Sequence, residues 1–209
     1  RHDNMSVTNT ATTHVSAEFQ LSFITQIQSR LIESKAVTTY KYALLHAIAD
    51  LCVLKYQGAP HSELTITKAE LADAWIDLYE GHSKPYTLQD GTTEVLKQKT
   101  RSVPGATVLS LIDEYISLHQ KEQAQQKNHL IKTLKHRLEN PITRLYAGEL
   151  SHDNFLYHYG NSKLTLKPCI AFCFREHYSL ITQLIRERWL HFVRVNNTHI
   201  LSESQDLSG

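Results

Sequence analysis

Cys169, Cys173 and His177 stand at i, i+4 and i+8 of one stretch, and thiolates with imidazole are the ligand types that zinc takes. On a helix that spacing strings the three along two turns instead of around one point. No CxxC or HxxxH pair supplies the missing ligands, so the expected reading is buried small cysteines and no metal. A second group, His152, Asp153 and His158, could hold an acid–base pair near a turn, and Asp50 follows His46 by one helical turn. Thirteen histidines in 209 residues make such neighbours common, and none is assigned a catalytic role. There is also no Gly-rich phosphate cradle, no GxSxG elbow and no carboxylate cluster with the spacing of a metal nuclease.

Charge is the chemistry that remains. Lys plus Arg (22) nearly cancel Asp plus Glu (21), so any attraction to nucleic acid is local. Two stretches supply it. One carries Lys97, Lys99 and Arg101; the other, KNHLIKTLKHRLENPITR, carries Lys127, Lys132, Lys135, Arg137 and Arg144 against Glu139 alone. A solvated helix face is the commonest meaning of such a stretch, and contact with DNA phosphates is the functional alternative. The candidate phosphate contacts are Lys97, Lys99, Arg101, Lys132, Lys135 and Arg137.

The elements that must position these residues follow from periodicity. TTYKYALLHAIADLCVLK, residues 38–55, is apolar on nearly every side and predicts a buried central helix, capped by Thr38 or Thr39 and ended by Gly58 with Pro60. Ahead of it, Phe19, Phe23, Ile27 and Leu31 mark an amphipathic helix after Ser16. Behind it, Leu64 and Ile66 predict a short strand, and Thr67 with Glu70 a capping box that starts a helix through about Tyr79. Helix, strand and capped helix in that order resemble a winged-helix module. The capped helix is a poor reader of DNA, because residues 62–80 set one Lys against five carboxylates.

Further along, residues 81–105 predict a loop and then a polar helix bearing Lys97, Lys99 and Arg101. Val108, Leu111, Ile112, Tyr115 and Leu118 mark another amphipathic helix, with residues 121–128 as a solvated continuation or hinge before the basic helix. FLYHYGNSKLTL predicts a hairpin of about 155–159 and 163–166, with Gly160 and Asn161 supplying the positive φ. Pro168 is expected to open the longest helix, with Ile170, Phe174, Ile181, Leu184, Ile185, Trp189 and Phe192 inward. The fold class is therefore mainly α, a helical domain with a winged-helix-like module and one small β-hairpin. Its expected divisions are a disordered segment 1–15 with Met5 as candidate natural start, a winged-helix-like region 16–104, a helical region with the hairpin 105–197, and a polar tail or linker 198–209. Apolar runs fall short of a bilayer span, the N-terminus is not signal-like, and three cysteines suit a reducing compartment, so a soluble, cytoplasmic protein with no membrane contact is expected.

The pieces TTYKYALLHAIADLCV, LTITKAELADAWIDLYE, PYTLQDGTTEVLKQKTR, NPITRLYAGEL, FLYHYGNSKLTLKPCIAFCFREHYSLITQLIRERWLHFVRVNN and DLSG, in this order and spacing, resemble the N-terminal region of a family of bacterial HNH endonucleases over residues 38–209. In such proteins DLSG is similar to the point just before the nuclease module. That module's cysteines and its metal-binding and general-base histidines have no counterpart here. The resemblance implies a non-catalytic DNA-targeting or regulatory region of an HNH-type endonuclease, of the kind found in mobile-element and antiphage contexts. No cofactor is expected in this chain, and a divalent metal only in the missing module. DNA is the expected partner; the alternative is a protein-interaction adaptor or homo-oligomerisation module.

Overall fold

The central helix α2 (Tyr40–Lys55) is the pillar of the fold, and its side chains from Tyr42 to Ala49 are all buried. The computed structural model of the protein describes residues 14–32, 38–100, 107–147 and 155–201. Around α2 stand α1 (Ala17–Ile32), α3 (Lys68–Ser83), α4 (Val108–Ile116), α5 (Gln120–Ala147), α6 (Ile170–Glu176) and α7 (Tyr178–Asn196). Leu45 and Ile48 are fully buried, as is most of Trp189. Helix α2 packs directly on α3, α5, α6 and α7, so an apolar surface on every side is what its position demands.

The strands form two small antiparallel sheets. In one, β1 (Leu64–Thr67), β4 (Tyr157–Gly160) and β5 (Lys163–Leu166) run in the order β1-β5-β4, with Ile66 opposite Leu164. The strand and the hairpin, separate features in the sequence, thus belong to one three-stranded antiparallel sheet. The capping box at the start of α3 is present, with Thr67 Oγ1 accepting from Glu70 N–H at 3.1 Å and the Glu70 carboxylate accepting from Thr67 N–H at 3.0 Å. The positive φ of the hairpin turn falls on Asn161 (52°) and Ser162 (57°); Gly160 lies in the strand. Two consecutive left-handed residues make the twist-matched two-residue turn of a hairpin.

Three expectations are corrected. Residues 93–100 do not form the polar helix expected for Lys97 and Lys99. Instead β2 (Tyr86–Thr87) pairs with β3 (Thr93–Glu94) across a turn at Asp90 and Gly91, and the chain then runs extended until Lys99 bridges Thr38. Tertiary bonds hold it so: the Asn197 side chain accepts from Lys97 N–H at 2.7 Å and donates to Lys97 C=O at 3.0 Å, and Thr39 N–H donates to Gln98 C=O at 2.9 Å. Second, Pro168 does not open one long helix. Cys169 takes φ 69° ahead of α6, and His177 separates α6 from α7 while its imidazole reaches Gln20 at 2.8 Å. Third, the longest helix among the described residues is α5, which absorbs residues 121–128 and continues through Pro141.

At the α2 N-terminus only Thr38 behaves as a cap, accepting weakly from Tyr40 N–H at 3.3 Å, because the Thr39 hydroxyl turns into the core. No helix among the described residues is long and apolar enough to cross a membrane.

Candidate nucleic-acid interface

Helix α5 buries Leu130, Leu134, Leu138, Ile142 and Leu145, a stripe at steps of three and four that packs on α2, α3 and α4. That stripe fixes which residues turn outward. His129, Lys132, His136, Arg137, Asn140, Thr143 and Arg144 are exposed and Lys135 is half-buried. Six cations share the helix with two carboxylates, Glu122 and Glu139.

Lys127 and Glu139 of α5 are engaged by α3 and the hairpin. Lys127 pairs with Asp73 of α3 at 2.9 Å, which draws it away from any ligand. Glu139 receives the buried Lys68 of α3 at 2.7 Å and the Tyr159 hydroxyl at 2.5 Å, so α3, α5 and the β4–β5 hairpin are fastened at one point. The Lys68 ammonium and then the Tyr159 hydroxyl hold the Glu139 carboxyl below its ordinary range. Burial pulls the Lys68 ammonium down, but Glu139 and Tyr159 outweigh it and leave that pKa raised. The one carboxylate in the basic half of α5 is therefore satisfied internally. Lys132 and Lys135 have no ion-pair partner among the described residues.

The other basic stretch meets this helix. The Lys99 ammonium sits 5.4 Å from the centre of the Tyr40 ring at the start of α2. Burial first, and then the nearby Arg137 guanidinium, pull the Lys99 pKa down. Arg137 likewise opposes the burial that pushes the Tyr40 phenol up to about 12. Lys99 and Arg137, well separated in sequence, are thus within electrostatic reach of each other beside Tyr40. Lys97 is exposed on the same extended segment, whereas Arg101 lies outside the described residues. Lys132 and Lys135 occupy the far flank of α5, so the five described candidates form two groups and not one.

The other candidates are not brought together. Cys169 Sγ lies 3.3 Å from His61 Nδ1, Cys173 is fully buried, and His177 bonds Gln20, so the supposed metal face diverges. Among the described residues no three His, Cys, Asp or Glu side chains gather as a metal site would need. His46 and Asp50 are consumed structurally: His46 Nδ1 meets Asp50 at 3.1 Å, the Arg186 Nε–H donates to His46 Nε2 at 3.2 Å, and the Tyr178 hydroxyl donates to Asp50 at 2.5 Å. His158 is exposed on β4, while His152 and Asp153 lie outside the described residues.

Charge alone does not reveal the polar ridge of His129, His136 and Asn140, which follows from the helical period of the same stretch once its buried side is known. The Asp-Gly pair at 90 and 91 was the available sign of the β2–β3 hairpin. Comparison with protein-family models, with curated proteins and with solved structures gives no match.

Proposed function

We propose that the chain is a non-catalytic DNA-targeting or regulatory region of an HNH-type endonuclease, contacting DNA phosphates through α5 and the Lys97–Lys99 segment. The observation that carries this reading is that Lys132 is exposed and Lys135 half-exposed on α5, neither of them paired with a carboxylate of the described residues, while Lys97 is exposed on the segment that bridges Thr38. Lysines that no carboxylate of the fold engages can neutralise anions from outside, and a phosphate backbone supplies such anions in a row. On the acidic helix α3, Asp73 is paired with Lys127, while Asp77 and Glu80 remain exposed.

The alternative, a protein-interaction adaptor or homo-oligomer, has a narrower basis. Helix α2 is buried nearly all round and offers a partner only Val53 and Leu54 near its C-terminus. A salt titration separates the two readings. With a fluorescent duplex at low salt, log affinity is expected to fall linearly with log salt, whereas an apolar interface barely responds. Replacing Lys132, Lys135 and Arg137 together by Glu is expected to abolish retention at moderate salt and to lower the slope by about 0.9 for each phosphate no longer neutralised, with helical circular dichroism unchanged. An unchanged slope, or no binding by the parent chain at low salt, overturns the proposal.

A further inference from the structure

The outward face of α5 has an order that bulk charge does not require. About 100° of rotation per residue places His129, His136 and Asn140 within roughly 40° of one another, as a straight polar ridge. Lys132 and Lys135 flank it on one side, with Glu139 between them held by Lys68 and Tyr159, and Arg137 and Arg144 flank it on the other. The ridge residues are all exposed, and the apolar stripe from Leu130 to Leu145 lies opposite them. The helix is held at its buried side by α2, α3 and α4 and at Glu139 by Lys68 and Tyr159, so it presents this face as a rigid edge.

Cations on both flanks with hydrogen-bonding groups between them match a groove with a phosphate backbone on each wall. An α-helix with its side chains is about 10–12 Å across, and the major groove of B-DNA is about 12 Å wide. We infer that α5 reads base edges in the major groove, with Asn140 and His136 as the specificity-determining residues and Lys132, Lys135, Arg137 and Arg144 as the clamps to the two strands. This rests on the proposed DNA binding and goes past it, from attraction to backbone to discrimination among sequences. A carboxamide donates and accepts side by side, which complements the N6 and N7 of adenine, so adenine is the base expected opposite Asn140.

The juxtaposition separates positioning from readout, and the experiment uses that. The full chain is incubated with a pool of DNA duplexes randomised over two helical turns, and the retained sequences are counted. The expected result is enrichment of a short motif containing adenine. Asn140→Ala should flatten the preference at one base pair by about ten- to a hundredfold while leaving the salt slope unchanged. Lys132→Gln should lower the slope by about 0.9 while leaving the motif intact. Salt-dependent binding with no enriched motif overturns the inference and leaves the phosphate binding standing. A motif unaffected by Asn140→Ala and by His136→Ala, in variants whose circular dichroism matches the parent, assigns the reading elsewhere and also overturns it. If the duplex pool is not retained at low salt, the DNA reading and the inference fall together.

Discussion

Gln98 is buried, and its side-chain oxygen accepts from both the Thr39 hydroxyl at 2.7 Å and the Trp189 indole N–H at 3.0 Å. Its amide nitrogen faces His82 Nδ1 at 3.4 Å, and the His82 ring stacks on Trp189 with centroids 5.1 Å apart. One side chain thereby joins the start of α2, the end of α3 and α7. Burial lowers the His82 pKa, so the neutral ring is the form that this site selects. An unfolded chain binds its proton near pH 6.5, above the folded value, so the stabilisation is complete above about pH 6.5 and is lost as pH falls through the lowered folded pKa. His82→Phe keeps the stacking and cannot titrate. Comparing urea midpoints at about pH 7.5 and about pH 5, the parent is expected to lose more stability than the variant. Equal losses would show that His82 protonates as readily in the fold as out of it.

At the scale of elements, the β4–β5 hairpin shows both what local sequence decides and what it leaves open. Alternation in FLYHYGNSKLTL is enough to identify two strands, but the turn itself uses Asn161 and Ser162. Serine in the left-handed region costs about 1–2 kcal/mol. Glycine removes that strain but gives part of the gain back through a more flexible unfolded chain. Ser162→Gly is therefore expected to raise stability by about 0.5–1 kcal/mol, read from thermal melts. The backbone bond from Lys68 N–H to Ser162 C=O is untouched by that change. A loss of stability would mean that the serine hydroxyl contributes something its position does not suggest.

The helices α1, α3 and α4 were legible because each buries a face of its own period, α2 because it is apolar almost all round, and the Thr67–Glu70 box because it is complete within four residues. Residues 95–99 were not, since their extended path depends on Asn197, about a hundred positions away, and on Gln98 reaching Trp189. The break at His177 was hidden for the same reason. No Gly or Pro marks it, and the partner that holds the ring is Gln20 of α1. The basic character of α5 was plain in the sequence, whereas its meeting with Lys99 beside Tyr40, and the engagement of Lys127 by Asp73, follow only from how the helices pack.

Over the whole molecule, the joins run across the middle of the chain. Strand β1 pairs residue for residue with β5, α2 packs on α6 and α7, α3 packs on α5, and Lys68 meets Glu139. A region 16–104 taken alone would leave the edge of β1 unpaired and expose the face of α2 that α7 covers. The two tryptophans report on this division. Trp75 lies in α3 and Trp189 in α7, and Tyr79 sits between their rings at centroid distances of 5.6 and 5.1 Å. If both regions unfold as one unit, fluorescence from either indole must lose its folded value together with the helical signal of the whole chain. The measurement takes Trp75→Phe, which leaves Trp189 as the reporter, and separately Trp189→Phe, which leaves Trp75. Within each variant the urea midpoint by fluorescence is compared with the midpoint by far-ultraviolet circular dichroism, so the differing stabilities of the two variants do not enter. Coincident midpoints in both are expected, because neither region can expose its share of the α2 and β1 surfaces without stripping the other. A fluorescence transition that precedes or trails the helical one in either variant would separate the two regions into independent folding units and undo the argument from the packing that crosses between them.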